Sequence, residues 1–339
     1  MKISVVIPYY QEQPGILVRA LKSLYAQDIG GETLLDVIIV NDASPVDPII
    51  DVQAAGAPPA NVGIRIITRA NGGPAAARNT GFDAVPVDAT YVAMLDSDDT
   101  WTPDHIARAI EGFALADADI YFSDHASHHH ASYLAGTRLF SEPLGGEGEL
   151  TALPGDSFYV SSGRQMATYS AREYLAHTSS ILFRADLPKD VRMAEKLRWS
   201  GEDLNFFIDL ALKARRVCLS MQSEVALGRG VSIYESSHEW GTAKDLRRRA
   251  FNMASARRVK QRARWPRPVR AHLSTAMSSG RRMVGYLLMR RILSKRGPDV
   301  SSLRLVWSLD RTTVLFAPFS VIDVFARKLL RRAGMPIAP

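Results

Sequence analysis

Apolar and polar positions in the first 125 residues follow two alternating rhythms. Short apolar runs at Ile3–Pro8, Asp36–Asn41, Ile64–Thr68, Tyr91–Leu95 and Ile120–Phe122 read as buried strands. Between them, residues 14–27 place Ile16, Leu17, Ala20, Leu21, Leu24 and Tyr25 at helical spacing. Ala75–Ala84 reads as a helix after the Gly72–Gly73–Pro74 turn, and Pro103–Ala116 as another with Asp104 at its start. Strands alternating with helices predict βαβ units, a mostly parallel sheet and right-handed crossovers. Runs that are apolar throughout predict helices on both faces of that sheet. Leu134–Arg164, rich in Gly, Pro and Ser, reads as an irregular insertion. Periodic signals resume at Tyr174–Leu187 and Leu204–Ala214. Beyond residue 244 the chain becomes Arg-rich and helical, broken at Pro266, Pro268 and Pro298.

Open sheets of this class bind ligands beyond the carboxyl ends of their strands. The polar residues there are Tyr9–Gln11, Asn41–Ser44, Arg69–Gly73 and Asp96–Asp99. Three carboxylates within Asp96–Ser97–Asp98–Asp99 repel one another unless a cation neutralises them. Clustered oxygen ligands suit Mg²⁺ or Mn²⁺, which can bridge to phosphate oxygens. A solvated acidic turn is the plainer reading, and the position at a strand's carboxyl end tips the balance to the cation. Asp42 suits hydrogen bonds from a nucleobase or ribose, or equally an Asx-turn. The Gly turn Asn71–Pro74 opens a small-residue helix whose N-terminus favours anions, with Arg78 one turn later. Arg78 reaches either a phosphate or a structural Asp.

Composition narrows this further. The chain has 339 residues, 46% hydrophobic and 23% charged, which excludes a disordered chain, a collagen and a coiled coil. One cysteine, Cys218, excludes an internal disulfide framework and a Cys-based zinc cage, and fits a reducing compartment. Ile3–Pro8 is too short for a signal-peptide core and lacks a cleavage-like site. The longest apolar stretch, Thr312–Ile322, is too short to span a bilayer. The net charge of +7 is unevenly divided: residues 245–339 hold 22 Lys+Arg against 4 Asp+Glu, whereas residues 1–244 hold 20 against 31. Opposite charge in the two parts predicts two functional parts.

In order along the chain, SVVIPYYQ (Ser4–Gln11), VIIVNDAS (Val37–Ser44), NGGPAAARNTG (Asn71–Gly81), YVAMLDSDDTW (Tyr91–Trp101) and GEDLNF (Gly201–Phe206) resemble the motifs of family 2 glycosyltransferases. The resemblance covers residues 1 to about 240. Its finer texture is similar to bacterial exopolysaccharide glucosyltransferases of the succinoglycan type. It implies an α/β GT-A fold with a Rossmann-like, mostly parallel sheet in residues 1–243, and a basic α-helical region in residues 244–339. It also implies roles. Pro8, Tyr9 and Tyr10 cradle uracil, and Asp42 reads uracil or ribose. Arg78 stands beside the nucleotide. Asp96, Ser97 and Asp98 form the DxD element for ribose and metal, with Asp99 an alternative direct ligand to Asp98. Asp203 is the general base and Glu202 its supporting neighbour, although the pair also suits a helix's first turn. His177–Ser180 lines the acceptor side. Tyr234–Thr242 is the loop that closes over the pyrophosphate, with His238 near the metal, though Glu235 stands where the family often carries arginine. His128–His130 reads as a loop tract, because three consecutive histidines do not converge on one ion.

The implied reaction is metal-assisted and inverting. Sugar passes from a UDP-sugar, with UDP-glucose the implied donor, to a hydroxyl of a lipid-linked oligosaccharide, giving a β-linkage. The implied place is the cytoplasm, peripheral on the inner membrane. The basic tail suits an anionic leaflet, or equally a helical subdomain whose arginines pair with acids; a homo-oligomer stays open. Three rival readings fit less well. A segment at net +18 attracts nucleic acid, but no recognition motif is present and the first part is acidic. A carbohydrate-binding protein with a dead transferase fold is disfavoured by the intact Asp96, Asp98 and Asp203. A sugar nucleotidyltransferase would open with a Gly-rich signature containing Arg and Lys, which is absent after Ile7.

Overall fold

The computed structural model describes residues 1–127, 130–142, 144, 149–155, 157–187, 190–228, 239–293 and 300–332, with side chains up to 326 in the last helix. Two compact units are present. Met1–Glu195 with Phe206–Ser232 forms the first, and Lys196–Asn205 with Ile233–Pro339 the second.

The first unit is built on one mixed sheet. Its strands are β1 (Lys2–Tyr9), β2 (Leu34–Asn41), β3 (Val62–Thr68), β4 (Tyr91–Met94), β5 (Thr100–Trp101), β6 (Ile120–Ala126), β7 (Thr151–Ala152), β8 (Phe158–Ser162), β9 (Ile181–Arg184) and β10 (Arg216–Ala226). The spatial order is β3-β2-β1-β4-β9-β6-β10-β8-β7, with β5 paired to β10. β3, β2, β1 and β4 are mutually parallel, as are β6 and β10. β9 runs antiparallel between β4 and β6. The carboxyl ends of β4 and β6 therefore share a rim with the residues that precede β9.

Helices α1 (Ile16–Tyr25), α2 (Pro48–Ala55), α3 (Pro74–Asp83), α4 (His105–Ala116), α5 (Arg138–Ser141), α6 (Gly163–Ser170) and α7 (Glu202–Ala211) accompany the strands. Leu17, Ala20, Leu21 and Leu24 of α1 and Ile106, Ala109, Phe113 and Ala116 of α4 are buried in one core with Val5, Ile7, Val37 and Ile39 of the sheet. α3 lies close to the strands because its residues are small. A Cβ at Gly81 would overlap Val6 Cγ1, so glycine is needed where the helix crosses β1. Leu134–Arg164 is less irregular than its composition suggests, since it contains α5, β7 and β8. β8 finds its partner in β10, far along the sequence. Cys218 of β10 is a buried free thiol pushed up to about 12 by burial and by Glu224, which leaves it inert as a nucleophile.

The second unit contains α8 (Ala243–Arg262), α9 (Arg267–Ile292), α10 (Val300–Leu309), α11 (Arg311–Leu315) and α12 (Ala317–Arg332). Leu246 and Ala250 of α8, Val284, Leu287 and Leu288 of α9, and Val306 of α10 form its core. Thr242 caps α8 by accepting from the Asp245 amide (3.1 Å). Asp310 caps α11 by accepting from the Thr312 amide (3.2 Å), and it also accepts from Arg281 Nε (2.7 Å) and Thr313 Oγ1 (2.9 Å). Burial pushes the Asp310 carboxyl up, but these partners outweigh it and hold it below the usual range. No described helix is long and apolar enough to cross a membrane.

Candidate active site

Strand β4 ends in a tight acidic turn. The Asp99 amide donates to the Asp96 carbonyl (3.1 Å), so residues 96 and 99 meet across the turn. Immediately before the antiparallel β9, His177 arrives at the same rim. A carboxylate oxygen of Asp96, one of Asp99 and a ring nitrogen of His177 all lie within 4.8 Å of one another.

Asp99 is the buried member. Its Oδ2 accepts from Ser179 Oγ (2.6 Å) and lies 3.6 Å from His177 Nδ1, and its Oδ1 accepts from the Gly228 amide (2.8 Å). A Cβ at Gly228 would overlap the Asp98 carbonyl, so only glycine brings that amide so near. Burial pushes the Asp99 carboxyl up to about 6. His177 and Ser179 work against this, and Asp96 and Asp98 add to it. Ser179 ties the elements together: its Oγ accepts from the Asp96 amide (3.0 Å), and its carbonyl accepts from Trp101 Nε1 (2.7 Å). Asp96 also pairs with the buried Arg78 of α3.

Two carboxylates and an imidazole at this spacing fit a divalent cation. A hard or borderline ion accepts these donors, and its charge offsets the burial, and the smaller repulsion from Asp96 and Asp98, that raise Asp99. Sequence reasoning placed the ligands on Asp98, Asp99 and His238. Asp99 is in the candidate group together with Asp96, which the turn brings against it, while Asp98 stands in the same turn outside that group. His238, with Tyr234 and Glu235, lies outside the described residues. His177, assigned only to an acceptor-side segment, is the third member of the candidate group. The legible signal was its position directly before a strand-like run; the hidden one was that this strand is antiparallel and inserted beside β4.

A second polar group sits at the end of β2. Asp42, buried, accepts from the Gly72 amide (2.9 and 3.1 Å) and the Gly73 amide (2.7 Å), and Arg69 Nη1 lies 3.3 Å away. Its backbone carbonyl accepts from Asn71 Nδ2 (2.9 Å). Asp42 thus fixes the glycine turn that opens α3. Gln11 Nε2 donates to the buried Ser97 (2.8 Å), joining the ends of β1 and β4. Tyr9 and Tyr10 part company: Tyr9 belongs to the core, whereas Tyr10 is exposed. The stacking face expected of both rings is available on Tyr10 alone, because successive strand residues point to opposite faces. Pro8 precedes them at the end of β1.

Beside His177 stands a histidine and tyrosine cluster that sequence reasoning did not find. His125 at the end of β6 stacks on Tyr133 (4.7 Å between centroids) and lies 5.3 Å from the His177 ring and 5.8 Å from that of His130. Burial first, then His177, pushes His125 down to about 4, so it is neutral at neutral pH and adds no competing charge. Asp124 holds the loop by accepting from the Tyr133 and Leu134 amides (both 2.9 Å). His128 and His129 lie outside the described residues.

Residues 4–174 match the model of the family described as "Glycosyl transferase family 2". The chain is also 36% identical over 248 residues to the succinoglycan biosynthesis protein ExoW of Rhizobium meliloti (strain 1021), covering 69% of this chain and 71% of that protein. It belongs to glycosyltransferase family 2.

Among solved structures, this glycosyltransferase is similar to S. aureus TarS 1–349 in complex with UDP-GlcNAc, with a TM-score of 0.60 at 16% identity, covering 100% of this chain and 93% of that one. It is also similar to the mannosyltransferase PcManGT from Pyrobaculum calidifontis in complex with GDP-Man and Mn²⁺, with a TM-score of 0.53 at 15% identity, covering 96% and 86%. These likenesses show the GT-A fold. In this glycosyltransferase, Glu202 and Asp203 open α7 after Gly201, which has φ +86°. Asp203 Oδ1 accepts from the Leu204 amide (2.7 Å). This turn is tied to α8 by Asn205 Nδ2, which donates to Ser255 Oγ (2.7 Å), and by a hydrogen bond from Ser200 to Asn252.

Proposed function

We propose that this family 2 glycosyltransferase moves glucose from UDP-glucose to a hydroxyl of a growing, lipid-linked exopolysaccharide oligosaccharide, with inversion to a β-linkage. The observation that carries the reading is the Asp96, Asp99 and His177 group on the rim of the sheet, in a chain 36% identical to a succinoglycan biosynthesis protein.

In this reading residues 1–243 carry the chemistry and residues 244–339 hold the enzyme at the cytoplasmic face of the inner membrane. Tyr10 offers a ring for the uracil beside Pro8, and Asp42 offers its carboxylate, already aimed by the Gly72 and Gly73 amides, to the base or ribose. Ser97 and Asp96 face the ribose side of the DxD element. Asp96, Asp99 and His177 hold Mn²⁺ or Mg²⁺, with Asp98 beside them; when bound, the ion supplies positive charge to the departing diphosphate. The N-terminus of α3 adds to that electrostatic stabilisation. Arg78, paired with Asp96, sets the position of that carboxylate. Asp203 removes the proton from the acceptor hydroxyl, supported by Glu202, and the freed oxygen attacks the anomeric carbon from the face opposite the diphosphate.

A hydrolysis screen with UDP-, GDP- and TDP-glucose, each with and without Mn²⁺, tests this reading. UDP-glucose should turn over, and only with metal; equal turnover in EDTA overturns the metal assignment.

The acidity of the site gives a second expectation. A ligating carboxylate must be ionised, so Mn²⁺ affinity should fall as pH drops below about 6, by about tenfold per pH unit. Stability of the metal-free protein runs the other way. Because the folded-state value of Asp99 is raised, its contribution is fully present below about pH 4 and is lost as pH rises through the folded value. Calorimetric titration of Mn²⁺ at about pH 5 and about pH 7 checks the first statement; an affinity equal at the two values would remove Asp99 from the ligand set.

A further inference from the structure

Helix α12 is amphipathic in the reverse sense. A packed surface helix turns its large apolar residues inward and its small or polar ones to water. Here Ala317 is buried, Ser320 abuts Gly285 of α9, and Asp323 pairs with Arg282 of α9 (3.5 Å). The outward side carries Phe319, Ile322 and Phe325, which are 63%, 67% and 55% exposed. Leu315 and Phe316 extend this face at the start of the helix, at 63% and 59% exposed. Phe316, Phe319, Ile322 and Phe325 follow one another in steps of three along a slowly turning stripe, with Leu315 beside its start. A monomer in water has no reason to keep five large apolar side chains together in the open.

The surroundings of the stripe are basic. Arg304 and Arg311 are exposed, and the Arg311 guanidinium lies 5.8 Å above the ring of the exposed Trp307. The sequence of α12 continues into Arg327, Lys328, Arg331 and Arg332. Residues 245–339 as a whole hold 22 Lys+Arg against 4 Asp+Glu. A second copy seated on this face would bring two such segments together and repel. A spanning role fails on length, since α12 has 16 residues where about 20 apolar ones are needed. Apolar side chains beside clustered cations match an anionic bilayer surface, where the rings enter the acyl boundary and the cations meet the headgroups.

We propose that α12 lies in the plane of an anionic lipid surface and inserts Phe319, Ile322 and Phe325, with Leu315 and Phe316 at its leading end. This deepens the peripheral-membrane reading above and rests on it. The partner is a bilayer rich in anionic phospholipid, and the helix is an anchor that carries no catalytic group.

The test is flotation with phosphatidylglycerol-containing and purely phosphatidylcholine vesicles. The full chain should float with the anionic vesicles and at least about tenfold less with the zwitterionic ones. The triple variant Phe319→Ser/Ile322→Ser/Phe325→Ser should lose about tenfold or more of its binding to anionic vesicles. Its helical circular dichroism, its melting point and its donor hydrolysis without vesicles should stay unchanged. In Phe319→Trp, brominated lipid should quench the new fluorophore. Flotation of the triple variant equal to the unaltered chain, an unquenched Trp, or a dimer that the triple variant abolishes would each overturn the proposal. Failure of the transferase reading looks different: donor hydrolysis is then absent in every variant while flotation is untouched.

Discussion

Asp99→Asn is expected to lose most Mn²⁺ binding and at least about 10²-fold of donor turnover, while the metal-free protein melts no lower than the unaltered chain. The two halves of that expectation have one cause. The carboxylate is buried beside Asp96, and its acidity is pushed up to about 6 mainly by burial, with Asp96 and Asp98 adding to the rise. Without a cation, holding it ionised at neutral pH costs on the order of 1–3 kcal/mol. An asparagine of the same shape removes that cost. It also removes one anionic ligand and presents an amide that cannot accept from both Ser179 Oγ and the Gly228 amide. Sites that trade stability for function show this opposition of signs. Calorimetric Mn²⁺ titration, thermal unfolding in EDTA and initial rates on UDP-glucose read the three quantities separately. A variant that binds metal normally, or that loses activity only because it unfolds, would show that Asp99 is a structural acid.

Part of the rim is legible in the sequence because apolar runs there give way abruptly to polar residues. β1, β2, β4 and β6 are largely buried apolar runs, β3 at the sheet's edge is only half-buried, and polar residues stand at or just beyond their ends. Asp42, Asp96 and Asp99 stand at such ends. What stayed hidden depends on pairings between distant segments. His177 reaches the acids only because β9 runs antiparallel between β4 and β6, and nothing local in the run Ile181–Arg184 encodes that direction. β10 alternates poorly because its pairing with β6 shifts register between Ser220 and Val225, which breaks the period of two on which pattern reading relies. Tyr9 and Tyr10 are adjacent letters of the same chemistry, and only the pleat decides which ring is covered. The reversed face of α12 was invisible for a related reason. The sequence marks Thr312–Ile322 as an apolar stretch, but does not show that α9 takes the opposite side of the helix.

Asp203→Asn is the second large expectation. Transfer to a hydroxyl acceptor should fall by about 10²–10⁴-fold, while Mn²⁺ affinity and the KM for UDP-glucose stay within about twofold. The carboxylate stands in the first turn of α7, where an acid is also favourable for the helix, so a loss of activity alone would not separate base from helix start. The amide keeps the side chain's shape and its acceptor oxygen for the Leu204 amide, so the helix loses only a charge interaction worth about 0.3–1 kcal/mol. Proton removal, by contrast, is lost outright. The signature of a base is therefore a fall in kcat that shrinks when the acceptor hydroxyl is made more acidic, because such an acceptor needs less help to ionise. A structural role predicts equal losses for every acceptor and a lowered melting point. Rates with a series of acceptors of graded acidity, run beside thermal unfolding, decide between the two, and a variant equally impaired on all of them would take the base assignment away from Asp203.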